Sequence, residues 1–363
     1  MSPAAEAQEK PIRVGVAGFG LAGRIFHAAA IDAVPGLELA AIAQPSRTAA
    51  AAAYPRLRVV GSVEELLEDP SIRLIAVATP NRSHFSVARS CLLADRDVVV
   101  DKPFALNSGE AAELIRLARS RRRLLSVYQN RRWDGDYRTL CRLLHEGVLG
   151  RPVFFESRYD RFRPQPNLNR WRENGEPGGG ILLDLGPHLI DQALKCFGLP
   201  DSLWADVRIE REGGRIDDAF DICLRYSQSG LLAWLRATVV ALGPGPRFTI
   251  HGTRGSFVKG GMDPQEEFLR AGNLYAASPW GADPEERWGE LTLDRDGKPE
   301  RRRLPTEIGD YRGYYANVRD ALLGRAALEV TPLQAWHTMR VLEMAEESSA
   351  QRRELPCAWG PTP

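Results

Sequence analysis

Cysteine is scarce in this sequence, and its spacing excludes two classes of protein. The 363 residues include five cysteines and no Cys-x-x-Cys pair; they are Cys91, Cys141, Cys196, Cys223 and Cys357. An odd number without paired spacing argues against a disulfide framework and against a cysteine-rich zinc site. We therefore expect free thiols in a reducing compartment, the cytoplasm.

Long apolar runs and an excess of one charge are also missing. No segment approaches the ~18–20 apolar residues of a membrane helix, and residues 1–10 hold no apolar stretch of a secretory signal. Lys and Arg number 48 against 47 Asp and Glu, so the net charge of +1 attracts neither nucleic acid nor acidic membrane. No metal-ligand spacing or basic–aromatic pattern occurs either. We expect no membrane, nucleic-acid or metal partner, and a disordered tail over residues 1–10.

The first third of the chain alternates strand and helix patterns. Apolar runs at Ile12–Gly18, Leu37–Ala43, Leu74–Ala78 and Val98–Val100 are separated by segments of helical spacing. Such alternation is typical of a parallel, doubly wound sheet, and the chain length favours about two domains. The sequence therefore predicts an α/β domain over residues 11–126.

Beyond Ser126 the apolar period changes to two. The segment Phe220–Tyr226 alternates in this way, and further candidate strands without intervening helices are Val153–Asp160, Leu203–Arg211, Leu231–Val240 and Arg247–Gly252. This pattern is typical of half-buried strands in a mainly antiparallel sheet. Residues 259–310 are rich in glycine, proline and charge, with a hairpin expected at Asp296-Gly297, and a last helix should begin after Thr331. The sequence predicts an α+β domain over residues 127–363.

A glycine motif follows the first strand directly. The segment Gly18-x-Gly20-x-x-Gly23 opens a helix, which is the context of a dinucleotide-binding fingerprint. Gly18 allows the tight turn, Gly20 lets the backbone approach a pyrophosphate, and Gly23 lets helix and strand pack closely. The helix N-terminus offers free N–H groups to the phosphates. We predict a Rossmann domain; the alternative is an ordinary glycine-rich turn.

The end of the second strand bears on which dinucleotide binds. An acid there hydrogen-bonds the ribose of NAD, whereas an arginine accepts the 2′-phosphate of NADP. The chain has Gln44-Pro-Ser46-Arg47 and no acid, so Ser46 and Arg47 favour NADP, with NAD as the other option. The alternative is that Ser46 only caps a helix over Thr48–Ala53 while Arg47 is solvated.

Two further segments carry side chains suited to proton transfer. Lys102 follows a strand at the carboxyl edge of the parallel sheet, where ligands bind, and partly buried lysines can pass protons near neutrality. Asp184 and His188 are four apart, so one helical turn places them on one side. Histidine suits proton exchange with an alcohol, and Pro187 favours a helix start just before it. The alternatives are a surface lysine and a structural histidine.

Arginines crowd a stretch between these segments, namely Arg158, Arg161, Arg163, Arg170 and Arg172. Guanidinium groups suit carboxylate, sulfate or phosphate, which would indicate an anionic sugar. The alternative is a solvated loop whose arginines pair with surface acids. The remaining histidines with no acid paired in sequence are expected to be structural: His27, His145, His251 and His337.

Four ordered motifs resemble the Gfo/Idh/MocA oxidoreductase family over nearly the whole chain. They are Gly18–Gly23, Thr79-Pro-Asn81-Arg-Ser-His84, Asp101-Lys-Pro103 and Asp184-x-Gly-x-His188. Three shorter segments resemble the branch that contains NADP-dependent scyllo-inositol dehydrogenases: Asn130-Arg-Arg-Trp133, Asp160-Arg-Phe-Arg-Pro164 and Asp263-Pro-Gln-Glu266.

The resemblance implies NAD(P)-linked oxidation of a sugar or cyclitol hydroxyl, and a large open C-terminal sheet that joins a homodimer or homotetramer. It implies that Lys102, Asp184 and His188 are catalytic and bind substrate together with Arg163. The residues assigned to the cofactor are Gly18, Phe19, Gly20, Leu21, Ala22, Gly23, Ser46, Arg47, Thr79, Pro80, Asn81, His84, Asp101, Lys102, Asn130, Trp171 and Arg172. One departure is Asp101, which stands where the family usually has a longer glutamate.

These residues suggest a mechanism and leave two rivals. His188 would take the hydroxyl proton as hydride leaves, Asp184 would orient the imidazole, and Lys102 would stabilise the alkoxide or relay the proton. A glycosidase of the same fold could use NAD(P) for transient oxidation, and a non-enzymatic sugar sensor could share the fold. A sensor would not need catalytic side chains, so the presence of Lys102, Asp184 and His188 argues against it.

Overall fold

The computed structural model describes residues 10–275 and 280–363, and the first of its two sheets has six parallel strands. These strands are β1 (Ile12–Ala17), β2 (Leu37–Ala43), β3 (Arg58–Val60), β4 (Leu74–Val77), β5 (Asp97–Val100) and β6 (Leu125–Val127). Their order is β3-β2-β1-β4-β5-β6, the doubly wound order with its switch point between β1 and β4. The tail expected over residues 1–10 lies, except for Lys10, outside the described residues.

Helices cover both faces of this sheet. They are a π-helical segment (Ala22–Ala28) that continues as α1 (Ala29–Ala33), then α2 (Thr48–Ala53), α3 (Val63–Leu67), a 3₁₀ turn (Asn81–Ser83), α4 (His84–Leu93) and α5 (Ser108–Arg121). Alternate strand residues divide between two buried clusters; Val14 and Val16 belong to one, and Ile75 and Val77 to the other. Burial on both faces explains the nearly continuous apolar runs. The α/β prediction is confirmed.

The second sheet has nine strands and is mostly antiparallel. Its strands are β7 (Pro152–Asp160), β8 (Ser202–Arg208), β9 (Ala219–Tyr226), β10 (Leu231–Thr238), β11 (Phe248–Gly252), β12 (Gly255–Lys259), β13 (Gly289–Arg295), β14 (Lys298–Leu304) and β15 (Leu355–Pro356). Their order is β14-β13-β12-β11-β7-β10-β9-β8-β15, and only the β7–β10 pair among these described strands is parallel. The hairpin expected at Asp296-Gly297 is confirmed, since both residues have positive φ between β13 and β14.

The helices of the second half cover one face of this sheet and reach back to the first. They are a 3₁₀ turn (Asn130–Trp133), α6 (Gly135–His145), α7 (Ile181–Phe197), α8 (Gln265–Arg270), a 3₁₀ turn (Glu285–Arg287), α9 (Arg312–Leu322) and α10 (Pro332–Gln351). The last begins as expected, with the hydroxyl of Thr331 and the side chain of Gln334 completing a capping box. Strand β6 runs one residue past the division predicted at 126, and that domain boundary stays a prediction.

The expectation that Pro187 starts a helix is wrong. Helix α7 begins at Ile181, after Gly180, so Pro187 lies in its interior and His188 is well past the first turn. Proline inside a helix costs about 3 kcal/mol, whereas each fully buried leucine or isoleucine contributes about 1.5–3 kcal/mol. Leu182, Leu185 and several following apolar residues of α7 are buried, so packing outweighs the proline.

These elements place one face of α7 opposite the carboxyl ends of β1, β4 and β5. No helix among the described residues is both long enough and apolar enough to cross a bilayer. The same part of the chain contains no group of three His, Cys, Asp or Glu side chains that could hold a metal ion.

Candidate active site

A large cavity lies between the two sheets. Its volume is about 1030 Å³, and both halves of the chain line it. The first sheet contributes the loops after β1, β2, β4 and β5, while the second half contributes α7 and the arginine-rich loop between β7 and α7. Crevices at the carboxyl ends of parallel strands, next to the switch point, are where such folds bind dinucleotides.

The glycine turn after β1 forms one wall of this cavity. A side chain at Gly18 would place its Cβ 2.6 Å from the carbonyl oxygen of Ala78, and the φ of Gly18 is +100°. A Cβ at Gly23 would lie 2.1 Å from the carbonyl oxygen of Gly18, so this glycine serves close packing. At Gly20 nothing lies within 4 Å, and its backbone faces the cavity. The steric roles expected of Gly18 and Gly23 are therefore confirmed, while the approach of Gly20 to a pyrophosphate stays a prediction.

The loop after β4 adds one polar atom without a partner. The hydroxyl oxygen of Thr79 is buried and has no hydrogen bond within the described chain, and Thr79 lines the cavity together with Pro80. A buried polar group without a partner is costly, so such a hydroxyl is suited to bind a ligand.

Asn81 and His84 do not line the cavity, which corrects the expectation drawn for them. His84 is fully buried, and its ring nitrogens lie 2.9 Å from the carbonyl oxygen of Thr79 and 2.7 Å from that of Pro103. Asn81 donates to the carbonyl of Gly178 across 2.8 Å. Both side chains therefore stabilise loops of the cavity wall without facing the cavity, because they hydrogen-bond backbone carbonyls of those loops.

Ser46 and Arg47 stand at the edge of the cavity rather than in its wall, which Gln44 and Pro45 form. Helix α2 begins after Arg47 with no side-chain cap, so Ser46 does not cap it. The guanidinium of Arg47 is 3.0 Å from the carboxylate of Glu65, and both side chains are about half exposed. The alternative in which Ser46 caps the helix and Arg47 is only solvated is therefore wrong, since Arg47 pairs with Glu65, while phosphate binding by Ser46 and Arg47 stays a prediction.

Asp101 lies deep in the cavity beside His27. Its carboxylate accepts a hydrogen bond from the backbone N–H of Lys102 over 2.8 Å, and Nε2 of His27 is 3.7 Å away. Burial alone would raise the pKa of Asp101, but the hydrogen bond and charge of His27 and the charge of Lys102 outweigh it and lower that pKa. His27, expected to be structural, also bonds Tyr315 through Nδ1 and so links Asp101 to the core.

Lys102 and Asp184 meet in the centre of the cavity wall. The Nζ of Lys102 is 3.1 Å from Oδ1 of Asp184 and donates to its backbone carbonyl across 2.7 Å. Arg161 and Arg172 each approach the same carboxylate to 3.6 Å. Burial opposes ionisation of Asp184, yet the three cations outweigh it, first Lys102, and hold its pKa well below the usual value. Asp184 is therefore ionised throughout the neutral range.

His188 lies one helical turn from Asp184 and lines the same cavity. It is nearly inaccessible to solvent, and its Nδ1 has no hydrogen-bond partner in the described part of the chain. Burial and the charges of Lys102 and Arg131 hold the pKa of His188 well below 6.5. The imidazole is therefore neutral near pH 7. The carboxylate of Asp184 is engaged by cations, which corrects the expectation that it orients the ring.

The crowded arginines separate into different roles. Arg158 pairs with Asp160 at 3.2 Å, away from the cavity, whereas Arg161, Arg163, Arg170 and Arg172 all line it. The guanidinium of Arg163 has no ion-pair partner within the described residues, and burial and the neighbouring charges of Arg161 and Arg170 lower its pKa. Arg163, Arg170 and Arg172 are nevertheless exposed to solvent, so anion binding by these arginines stays a prediction beside the solvated-loop alternative. Trp171 also lines the cavity, with Arg172 stacked 4.2 Å from its ring centre.

Several residues of the cavity wall were not assigned from the sequence, among them Arg131, Asp217 and Glu266. Arg131, next to Asn130 in the cavity wall, hydrogen-bonds Glu266 and lies 2.8 Å from the hydroxyl of Tyr311. Asp217 accepts from the N–H of Leu182 over 2.7 Å and so caps α7 from another loop. The segments that hold Arg131 and Glu266 were noticed only as motifs, because their partners lie more than a hundred residues away.

Comparisons with known proteins agree with this architecture. Residues 12–129 match the family profile described as "Oxidoreductase family, NAD-binding Rossmann fold", and residues 142–357 match "Oxidoreductase family, C-terminal alpha/beta domain". The chain is 45% identical to the uncharacterized oxidoreductase YdgJ of Escherichia coli (strain K12), over 95% of this chain and 98% of that protein. It is 36% identical to the scyllo-inositol 2-dehydrogenase (NADP(+)) IolW of Bacillus subtilis (strain 168), over 95% of each.

Solved structures lead to the same conclusion. The oxidoreductase YvaA of Bacillus subtilis superposes with a TM-score of 0.92 at 36% identity, covering 96% of this chain and 99% of that one. An oxidoreductase from Yersinia pestis superposes with a TM-score of 0.91 at 42% identity, covering 98% and 100%. The chain therefore belongs to the Gfo/Idh/MocA oxidoreductase family and is an NAD(P)-dependent oxidoreductase.

Proposed function

We propose that this protein interconverts a hydroxyl and a ketone of a neutral or anionic sugar or a cyclitol, using NADP(H). The observation that carries the proposal is the contact of Lys102 with Asp184 beside a neutral, buried His188, facing the glycine turn across one cavity. A relative that covers nearly the whole chain is named as an NADP-dependent scyllo-inositol dehydrogenase, which supports a cyclitol.

The residues present fit a dinucleotide. The open space at Gly20 and the unpartnered hydroxyl of Thr79 are suited to a pyrophosphate and its sugars. The absence of an acid at the end of β2, with Arg47 adjoining, supports NADP over NAD. When bound, the nicotinamide accepts or supplies the hydride, while the protein supplies position and electrostatics.

His188 is proposed to exchange the proton of the substrate hydroxyl. Because its pKa is held below 6.5, the imidazole is neutral and able to accept that proton near pH 7. In the reductive direction the ring would first take up a proton from solvent and pass it to the ketone oxygen, a release that Lys102 and Arg131 favour because they disfavour the imidazolium. An acid or base of this kind contributes about 10²–10⁴ to the rate.

Lys102 is proposed to stabilise the developing alkoxide. Asp184 keeps the ammonium group of Lys102 in place through its carboxylate and its backbone carbonyl. An ammonium held in advance needs no reorganisation when negative charge develops on the substrate oxygen. Asp184 in this proposal positions Lys102, and Arg163 offers a guanidinium to the substrate from the opposite loop.

The decisive test is a spectrophotometric panel of inositols, aldoses and uronates with NADP and NAD in parallel. We expect turnover with NADP and at least one polyol, lowered about 10²–10⁴-fold by His188→Asn and by Lys102→Met. His145→Asn, at an exposed position of α6, is the matched control and should keep full turnover. Release of nitrophenol from a nitrophenyl glycoside without net cofactor turnover would establish the glycosidase instead.

We also propose that the protein is a cytoplasmic homodimer or homotetramer joined through the second sheet. Helices α7 and α10 cover one face of this sheet, and on the other Trp204 and Trp234 form a half-buried pair with ring centres 5.9 Å apart. Large aromatic surfaces of this kind are typical of subunit contacts. Sedimentation of Trp234→Glu as a monomer, against an oligomeric wild type, would support this; a monomeric wild type would refute it.

A further inference from the structure

Two of the five free cysteines face each other at a distance from the active site. Cys141 lies on α6 and Cys196 near the end of α7, and their sulfur atoms are 3.9 Å apart. Both side chains are partly exposed, and the sequence separates them by 55 residues. The spacing of the two cysteines in the sequence therefore did not indicate that they are in contact. The contact results from the packing of the two helices.

Cys141, but not Cys196, lines a surface cavity separate from the active site. The volume is about 340 Å³, and basic side chains predominate in its wall: Cys141 lies there with Arg132, Arg138, Arg142 and Lys195, opposite two glutamates. A hydrogen bond from Cys196 and the charges of Lys195 and Arg132 lower the pKa of Cys141. Basic surroundings and partial exposure are what make a cysteine reactive, because the thiolate is the nucleophile.

We propose that Cys141 and Cys196 form a reversible disulfide within one chain when a peroxide enters this cavity. The thiolate of Cys141 attacks a peroxide oxygen, the O–O bond breaks, and a sulfenic acid and hydroxide result. The sulfur of Cys196 then displaces water from the sulfenic acid as the S–S bond forms. Two thiols and one hydrogen peroxide thus give one disulfide and two waters.

The geometry and the other cysteines make this pairing selective. The sulfur atoms have to approach from 3.9 Å to about 2.05 Å for the bond to form. Cys91 is completely buried, and burial raises its pKa to about 12. Burial also raises the pKa of Cys223, and that of Cys357 to about 12, so these thiols remain protonated and slow to react.

The test uses the full-length protein with a small excess of hydrogen peroxide, then alkylation and peptide mass mapping without reductant. We expect two of the five thiols to be lost, one peptide pair linked through Cys141 and Cys196, and full recovery after dithiothreitol. Cys223→Ser, the matched control, should still form the linked pair, whereas Cys141→Ser should leave Cys196 open to alkylation.

Three results would overturn the inference. They are five thiols that all remain free, oxidation of Cys141 to sulfinic acid without a linked peptide, or disulfides found only between two copies of the chain. Wild-type mapping alone distinguishes these results, so the conclusion does not depend on a serine variant that fails to fold. The outcome is also independent of the proposed dehydrogenase activity, because the pair touches neither Lys102 nor His188.

Discussion

Replacing Arg47 with alanine tests how the chain selects its dinucleotide. The guanidinium of Arg47 lies 3.0 and 3.2 Å from the two carboxylate oxygens of Glu65, just outside the cavity wall. A 2′-phosphate on a bound dinucleotide would compete with Glu65 for the same guanidinium. The free-energy difference between these two partners therefore decides whether Arg47 contributes to selectivity.

The magnitudes favour the phosphate. An ion pair between half-exposed side chains, such as Arg47 with Glu65, stabilises by about 0.2–1 kcal/mol. A hydrogen bond to a charged group contributes about 1.5–3 kcal/mol, and a phosphate accepts more than one. The net gain is about 1–2 kcal/mol, so Arg47→Ala should weaken NADPH binding about 5–30-fold and leave NADH nearly unchanged. Glu65→Gln should strengthen NADPH binding, by at most about fivefold.

Fluorescence titration of NADPH and NADH with each purified variant measures these constants directly. Arg58→Ala is the matched control, because Arg58 is a neighbouring arginine that pairs with Asp69 and does not line the cavity. An unchanged ratio of NADPH to NADH affinity in Arg47→Ala would refute the role of Arg47. An equal loss in Arg58→Ala would show that general surface charge, not this side chain, attracts the phosphate.

Three further predictions follow from burial and backbone geometry. Gly18→Ala should abolish dinucleotide binding in a titration and destabilise the fold, because its Cβ would lie 2.6 Å from a carbonyl oxygen at positive φ. In the pH profile of kcat/KM for oxidation, the decrease at low pH should occur below pH 6.5, and a decrease that begins above 6.5 would exclude His188 as the base. The free energy of unfolding should also fall below pH 6.5, because His188 binds a proton in the unfolded chain but stays neutral when buried in the folded one. Asp191→Asn should lower the free energy of unfolding in urea by about 3–5 kcal/mol, because it removes the charge 2.6 Å from the buried guanidinium of Arg132. The control Glu113→Gln removes an exposed ion pair and should lower it by about 1 kcal/mol or less, so similar losses in both variants would contradict the prediction.

Features that depend on neighbours in the chain were predictable from the sequence. The glycine turn, the apolar pattern of each strand and the capping box at Thr331 depend on residues within a few positions of one another. Their steric and hydrogen-bond requirements are local, so the pattern of residues is sufficient to indicate them. The roles assigned to Gly18 and Gly23 agree with what a side chain would contact at each position.

Features that depend on distant partners were missed or misjudged. His84 was assigned to the cofactor, but two backbone carbonyls occupy its ring nitrogens. Pro187 was expected at a helix start, but the buried face of α7 keeps it inside. The contact of Cys141 with Cys196 could not be predicted, because the two residues are 55 positions apart in the sequence. Each outcome depends on free energies of packing between segments that are far apart in the chain.

The sequence by itself determined the doubly wound sheet and the glycine turn after its first strand, and it indicated candidate residues for proton transfer. Only the tertiary structure decided that Lys102 and Asp184, 82 residues apart, form the ion pair while His188 stays neutral beside them. The physical reason is that a side chain's charge state depends on the solvent it loses and the charges it meets. Both are properties of the folded cavity and not of the residues adjacent in sequence.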